Sequence, residues 1–197
     1  MTLSNAYSWS PVGKRVYVPY EAPQGRRVNA MAALFHGSPG SRRLEFVTRA
    51  RAPKTKRKAV SILAAGLSEA EMGTLNADVL IGFIWQIAGR PADAPAEWQR
   101  DKPLVIVLDN YSVHVGTRVQ EERKKWWAAD IGLFFLPSYS PELSAMEPVW
   151  HDVKQHRMRR LSRDSLFDLK RAVDAALIEK ATKAASLVSD NSLAESA

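Results

Sequence analysis

Hydrophobic residues follow two different patterns along the chain. Between residues 74 and 89 they recur at the spacing of one helix face, at positions 75, 79, 80, 83, 84 and 87, before a closing glycine. Residues 104–108 (LVIVL) and 131–136 (IGLFFL) are instead continuous apolar runs that are too short for a helix. Such runs predict strands that are buried on both faces. A polar helix is predicted between them over 116–130, so the three segments indicate a βαβ unit of parallel strands with a right-handed crossover.

The N-terminal part has the pattern of strands that pair in a hairpin. Residues 14–20 and 26–37 have strand character, and residues 42–50 follow a turn-like Gly-Ser-Pro-Gly-Ser segment at 37–41. Residues 51–73 are irregular and basic. Hairpin strands followed by parallel strands predict a mixed sheet.

Helices and loops are predicted for the rest of the chain. Residues 90–103 form a proline-rich connection, and helices are predicted from about 147 to 160 and from about 163 to 187. A mixed sheet covered by helices is an α/β layer fold. A chain of 197 residues suits one domain, which we place at 1–187, followed by a disordered tail at 188–197.

The charge of the chain favours a polyanionic partner. The 28 Lys and Arg outnumber the 21 Asp and Glu, which gives a net charge of +7 and a pI near 9.8. Residues 42–58 hold eight basic side chains and one acid, and residues 154–163 are basic without any acid. Solvated surface is the alternative explanation for each run. Two dense runs on either side of a candidate site favour nucleic acid, because Lys and Arg contact phosphates.

Other classes of protein fit the sequence less well. With no cysteine, the chain forms no disulfide and no thiolate metal site, which suits a reducing cytoplasm. It has no apolar run long enough to predict a membrane span, and its start lacks the apolar region of a secretory signal. His151 and His156 are five positions apart, a spacing that does not share one α-helix face, so no zinc pattern is predicted.

Two carboxylates are predicted to meet at one edge of the sheet. Asp109 directly follows the strand 104–108, and Glu147 follows the next parallel strand across a short loop. Parallel strands end on the same edge, where functional groups of open α/β sheets gather. Pro148 is poorly tolerated deep in a helix, so the helix should restart there with Glu147 at its mouth. The structural alternatives are a helix-capping role for Asp109 and a salt-bridged helix start for Glu147.

Coordination of a divalent metal ion is the chemistry that requires two carboxylates to lie close together. Mg²⁺ takes oxygen ligands, commonly one or two carboxylates with substrate phosphates and waters. Two such ions can stabilise the attacking and leaving oxygens of a phosphoryl displacement. A basic protein with oxygen ligands at its strand ends therefore suggests phosphodiester chemistry. His114 has three possible roles: it orients the Asp109 loop, contacts phosphate, or makes a structural hydrogen bond.

These residues lie in two long motifs, VIVLDNYSVHVG and LFFLPSYSPELSAMEPVWHDVK, the second followed by RMRR. The motifs closely resemble those of the DDE-type transposases of bacterial insertion sequences, in the mariner-related branch of the DDE superfamily endonucleases. The segment YSWSPVGKRVYVPYEAPQGRRVNAMAALF is also similar to that family, so the resemblance covers most of residues 7–160.

The resemblance implies an RNase H-like fold and a triad of two Asp and one Glu that binds two Mg²⁺ or Mn²⁺ ions. The implied reaction is hydrolysis of DNA at transposon ends, followed by attack of the freed 3′-hydroxyl on target DNA. By position, Asp109 is the second member of the triad and Glu147 the third. The implied supporting residues are Asn110, His114 and Ser144, the last at a position where the family usually has Asn. The implied contacts to the DNA backbone are Lys154, Arg157, Arg159 and Arg160.

The first Asp of the triad has no counterpart in the expected place. In the family it ends a strand ahead of the segment that begins here at Tyr7, and only six residues, none acidic, precede Tyr7. Glu21 and Glu45 are at the wrong positions to replace it. The expected domain is therefore an RNase H-like fold that lacks its first, central strand. The helix-turn-helix region that recognises transposon ends is also missing.

Three possibilities remain open. One is the C-terminal catalytic part of a transposase in the bacterial cytoplasm, associated with the nucleoid, which is inactive alone and is a decayed remnant or half of a frameshifted gene. The second is a non-catalytic fragment that binds DNA or regulates the complete enzyme. The third is a decayed product with no function. The expected partners are DNA, full-length transposase and a second copy of the chain, with no membrane.

Overall fold

The computed structural model describes residues 12–14, 27–36, 43–51, 66–138, 140–158 and 165–194. The chain divides into two compact units. We call Met1–Thr74 together with Pro148–Ala197 the hairpin unit, and Leu75–Glu147 the parallel-strand unit. The prediction of a single catalytic domain over 1–187 stays a prediction.

Strands and helices together make a mixed α/β structure, which is consistent with an RNase H-like fold. In chain order the strands and α-helices are β1 Arg27–Phe35, β2 Arg43–Arg51, α1 Ala77–Ile87, β3 Leu104–Leu108, α2 Ser112–Val115, α3 Thr117–Ala128, β4 Ile131–Phe135, α4 Glu147–Asp152 and α5 Leu166–Ala194. One-turn 3₁₀ helices lie at Glu69–Glu71 and Pro141–Leu143, and a π-helix at Val153–Arg157 continues α4. In the part of the chain that the structure describes, no helix has the length and apolar character to cross a membrane.

The predicted hairpin is confirmed. β1 and β2 pair antiparallel over their whole length, from Arg27 opposite Arg51 to Phe35 opposite Arg43. The predicted turn at 37–41 and nearly all of the predicted strand at 14–20 lie outside the described residues.

The core of the hairpin unit lies between this sheet and α5. Val173, Ala176 and Leu177 recur at helical spacing on one side of α5 and are buried with Val153 and Met158. Side chains from the sheet and from α4 pack against this cluster, namely Val28, Ala30, Phe46 and Trp150. A fully buried valine, leucine or methionine side chain contributes about 1.5–3 kcal/mol to the stability of the fold, relative to the same side chain left exposed.

Charged side chains reinforce this packing. Lys170 is almost fully buried on α5 and contacts Asp174 at 2.6 Å. Asp174 also accepts a hydrogen bond from the hydroxyl of Thr48 on β2. Glu71 lies 2.9 Å from Arg171 and 4.0 Å from Lys170. Because a buried charge without a partner is costly, these contacts hold α5 and the strand in one arrangement.

The parallel-strand unit contains the predicted βαβ arrangement. β3 and β4 pair in parallel, from Leu104 opposite Ile131 to Leu108 opposite Phe135, with α3 between them in sequence. Trp126 of α3 is fully buried and meets Trp85 of α1 edge to face at 6.4 Å. The short helix α2 was not predicted.

The sequence located the end of α1 correctly but placed the end of α5 too early. Gly89, at φ +79°, follows α1 and donates a backbone hydrogen bond to Gln86, as predicted for a glycine that closes a helix. In contrast, α5 runs to Ala194, past the end near 187 that the sequence predicted, and the disordered tail at 188–197 stays a prediction.

The prediction that β3 and β4 are buried on both faces is wrong. Val105 is 67% exposed and Val107 is 54% exposed. Phe134, opposite Val107 on β4, is 58% exposed. Leu104, Ile106 and Leu108 alternate with the exposed valines and are partly buried. A continuous apolar run does not distinguish a strand covered on both faces from one covered on a single face, because the coverage depends on other parts of the fold.

Candidate active site

The loop that carries Asp109 is tied to the end of β4. The backbone N–H of Leu136 donates to the carbonyl of Leu108 at 2.8 Å, which extends the parallel pairing by one residue. The side-chain amide of Asn110 donates to the carbonyl of Leu136 at 2.5 Å. Asn110, predicted as a supporting residue, thus joins the chain after β3 to the chain after β4, with Asp109 between the two contacts.

The Asp109 carboxylate is held by its own loop. Its Oδ1 accepts a hydrogen bond from the backbone N–H of Tyr111 at 3.1 Å and lies 2.7 Å from Nδ1 of His114. The same Nδ1 lies 3.1 Å from the backbone carbonyl of Asp109. Both neighbours are acceptors, so Nδ1 must carry the proton. These contacts fit both an orienting role and a structural hydrogen bond, and the role of His114 stays a prediction.

One oxygen of Asp109 remains open. The side chain is 65% exposed, and Oδ2 has no hydrogen-bond partner among the residues that the structure describes. His114, only 15% exposed, fixes the carboxylate from the protein side. The contact to Tyr111 shows that Asp109 also shapes the turn before α2. Asp109 therefore has structural contacts through Oδ1, while Oδ2 has none with the described residues.

Glu147 begins α4, as the sequence predicted from Pro148. Its backbone N–H donates to the carbonyl of Ser144 at 3.1 Å, which closes the turn after the 3₁₀ helix Pro141–Leu143. This contact uses the backbone of Ser144, so the predicted supporting role of its side chain stays a prediction. The Glu147 side chain is exposed, and within the described ranges it has no hydrogen-bond or ion-pair partner. Among the described residues, the structure shows no ion pair that would make Glu147 a salt-bridged helix start.

The four predicted DNA contacts differ in their surroundings. Lys154 lies exposed on the π-helix. The Arg157 side chain is only 8% exposed and contacts Asp152 at 2.8 Å and Glu179 at 2.6 Å. Hydrogen bonding to Asp152 raises the pKa of Arg157 above its usual value despite burial. Arg157 therefore joins α4 to α5, and its contact with DNA stays a prediction. Arg159 and Arg160 lie outside the described residues.

The π-helix also brings the rings of two histidines close together. The rings of His151 and His156 are 6.0 Å apart, centroid to centroid, in an edge-to-face arrangement. In a π-helix the backbone hydrogen bonds join residues i and i+5, so the π-helix at Val153–Arg157 brings side chains five positions apart closer than an ordinary α-helix does. The expectation that the two histidines lie on different helix faces is therefore wrong, and the absence of a zinc site stays a prediction.

The carboxylates have the chemistry of metal ligands but do not form a complete cluster. Asp109 and Glu147 belong to one unit, follow neighbouring parallel strands and offer exposed oxygens of the kind that Mg²⁺ prefers. Among the described residues, however, no group of three or more His, Asp or Glu side chains could hold a metal ion. The assignment of Asp109 and Glu147 as metal ligands therefore stays a prediction.

Comparison of sequence families identifies the chain. The family model of the DDE superfamily endonuclease matches residues 48–170, more than half of the chain. The chain belongs to the DDE superfamily endonucleases. The matched region includes both carboxylates and the two motifs that carry the resemblance. Endonucleases of this superfamily act on DNA and generally use divalent metals, so a transposase-like nuclease function is supported. Among curated proteins, none matches the chain.

Proposed function

We propose that this DDE superfamily endonuclease chain is the C-terminal catalytic part of an insertion-sequence transposase of the mariner-related branch, which cuts DNA and transfers its strands. The observation that carries the proposal is the pair of exposed carboxylates after neighbouring parallel strands, with Asp109 fixed by His114 at 2.7 Å. The family match supports DNA as the substrate.

Each residue of the site has a distinct task. Asp109 presents Oδ2 to a divalent ion, while the contact of Oδ1 with His114 fixes the carboxylate. Glu147 supplies a second carboxylate that no described ion pair neutralises. Asn110 holds the Asp109 loop against the chain after β4. When bound, Mg²⁺ or Mn²⁺, two ions in the complete enzyme, stabilises the charge that develops on the phosphate oxygens.

The chain alone is proposed to be inactive. The family triad needs a further Asp, and the described residues offer no third carboxylate grouped with Asp109 and Glu147. Charge stabilisation by correctly placed groups is the largest part of such catalysis, so a missing ligand should remove nearly all activity. A version of the chain extended by a strand that ends in Asp should nick transposon-end DNA with Mg²⁺ or Mn²⁺. That activity should disappear in Asp109→Ala and in Glu147→Ala.

Metal binding tests the site without any need for activity. Titration of the chain with Mn²⁺, followed by electron paramagnetic resonance, should show weak binding. Asp109→Asn and Glu147→Gln should each reduce it by about tenfold or more, since each removes a charged ligand. Glu142→Gln and Asp101→Asn, which neutralise exposed acids outside the site, are the matched controls. Equal Mn²⁺ affinity in all five proteins would refute the assignment of the site.

A non-catalytic DNA-binding or regulatory fragment is the second candidate. It is favoured by the absence of a three-ligand group among the described residues and by the net charge of +7. It predicts binding to duplex DNA that weakens with salt and is accompanied by no cleavage, even in the extended version. Lys154→Gln should lower by about one the number of counterions released on DNA binding, which is read from the slope of log affinity against log salt. Lys102→Gln, which changes an exposed loop, should leave this slope unchanged. Absence of DNA binding at low salt would exclude this candidate.

A further inference from the structure

A cavity beside α3 and β4 has a lining that neither the family match nor the proposed catalytic site explains. Its volume is about 330 Å³, within the range of small-ligand clefts. It is lined by Arg123, Lys124, Trp127, Ile131 and Leu133. All five residues belong to the parallel-strand unit. The lining thus joins two cations and an aromatic side chain to an apolar floor, with no acid among its members.

Trp127 is the unusual member of this lining. It is 78% exposed, although its neighbour Trp126 is fully buried. Successive residues of an α-helix point about 100° apart, so one tryptophan anchors α3 in the core while the other stands outside it. The Trp127 ring lies close to Gly132 of β4, where an added Cβ would be 4.0 Å away. Most of the Trp127 indole is therefore accessible to a ligand.

The two cationic side chains of the cavity differ in their contacts with neighbouring residues. Arg123 donates a hydrogen bond to Gln120 at 3.2 Å and lies 5.6 Å from the centre of the Phe135 ring. The Lys124 ammonium has no partner within the described ranges. The nearby acid Glu122 is already occupied by Lys125 at 2.8 Å and by the indole N–H of Trp85. The positive charge of the cavity is therefore not neutralised by Glu122.

We infer that this cavity binds single-stranded DNA, with one unpaired base stacked on Trp127 and the adjoining phosphate near Lys124 and Arg123. Aromatic stacking combined with cations along the backbone is how proteins hold unpaired nucleotides. Duplex DNA offers phosphates but keeps its bases stacked on one another, so it would use only half of this surface. The inference does not rest on the proposed catalytic function, because no residue of the cavity belongs to the metal site.

Binding of the intact chain to fluorescent oligothymidylate, measured by anisotropy at low salt and without metal, tests the assignment. Trp127→Ala should weaken binding by about tenfold or more, and Trp127→Phe by less. Lys124→Gln should reduce the slope of log affinity against log salt by about 0.7. Lys125→Gln is the matched control, because Lys125 lies on the same helix but is paired with Glu122 and does not line the cavity. Circular dichroism checks that each variant is folded.

Three results would overturn the assignment. The first is unchanged oligothymidylate affinity in folded Trp127→Ala, since the base would then have no stacking partner there. The second is a higher affinity for duplex DNA of the same length, with Lys124→Gln affecting duplex and single strand alike. The third is tighter binding of oligouridylate, which would assign the cavity to RNA. Because metal is absent, none of these results depends on Asp109 or Glu147.

Discussion

The two units of the chain use the same types of charged residue in opposite ways. In the hairpin unit, Lys170 is nearly fully buried and contacts both Asp174 and Glu71. In the parallel-strand unit, Lys124 is exposed without a described partner, and the carboxylate of Asp109 is 65% exposed. Removing one partner of a buried pair leaves an uncompensated charge, whereas an exposed charge remains available to a ligand. The buried ion pairs thus stabilise the hairpin unit, whereas Lys124 and Asp109 of the parallel-strand unit carry charge at exposed positions.

The two sheets show the same difference. The hairpin sheet directs Val28, Ala30 and Phe46 into the cluster around α5. The parallel strands leave Val105 and Val107 exposed. In this chain, exposure rather than residue type therefore distinguishes the positions that stabilise the fold from the candidate binding positions.

The largest expected effect comes from comparing the adjacent tryptophans of α3. Trp126→Ala should lower the free energy of unfolding by about 3–5 kcal/mol, because it removes a fully buried ring. Trp127→Ala should change it by less than about 0.5 kcal/mol, because that ring is mostly exposed. Urea unfolding followed by circular dichroism measures both. Similar losses in the two variants would contradict the described burial of α3.

A smaller effect is expected for the comparison of two aspartates. Asp174→Ala should cost about 2–3 kcal/mol, since it leaves buried Lys170 without its closest partner and Thr48 without its acceptor. Asp109→Ala should cost less than about 1 kcal/mol, because its contacts to Tyr111 and His114 lie in an exposed loop. Thermal unfolding provides the measurement. A greater loss of stability in Asp109→Ala would show that this carboxylate is mainly structural.

The third comparison concerns pH. Burial raises the pKa of Asp152, but hydrogen bonds from Lys180 and Arg157 outweigh it and hold the pKa below its usual value. A carboxyl with a lowered folded pKa stabilises the fold above its unfolded pKa, near 4, and this stability is lost as pH falls through the folded pKa. Asp152→Asn should therefore be about 1–2 kcal/mol less stable at pH 7 and lose less stability on acidification.

Urea unfolding at pH 7 and at pH 3 checks this prediction. Glu71 adds a contribution of the same sign, because hydrogen bonds from the backbone and side chain of Ser68 lower its pKa, with a further contribution from Arg171. Asp101→Asn, which changes an exposed acid, is the control and should keep the pH profile of the unmodified chain. If Asp152→Asn also keeps that profile, the ion pairs of Asp152 do not contribute to stability.

The smallest effect is expected for a comparison of two valines, Val173 on α5 and Val107 on β3. Val173→Thr should cost about 1–2 kcal/mol, because it places a hydroxyl in the buried cluster of the hairpin unit. Val107→Thr should change the free energy of unfolding by less than about 0.5 kcal/mol, because its side chain is 54% exposed. A cost for Val107→Thr equal to that for Val173→Thr would show that the exposed strand face is covered in solution.

Much of the candidate site could be predicted from local sequence. The apolar run before Asp109 and the proline after Glu147 fix where β3 ends and where α4 begins, and both predictions are confirmed. The supporting contact of Asn110 was assigned only through the resemblance, since its acceptor, the Leu136 carbonyl, lies 26 positions away. The cavity beside Trp127 was not foreseen, because the polar pattern of α3 does not show which tryptophan enters the core.

The sequence by itself determined the hairpin, the parallel strands and the order in which Asp109 and Glu147 follow them. Those features depend on hydrophobic period, turns and prolines, which act over a few neighbouring residues. Only the tertiary structure decided that Val105 and Val107 stay exposed, that Trp127 lines a cavity, and that Arg157 pairs with Glu179 on α5. Burial and ion pairing depend on groups far away in the sequence, so a local pattern cannot specify them.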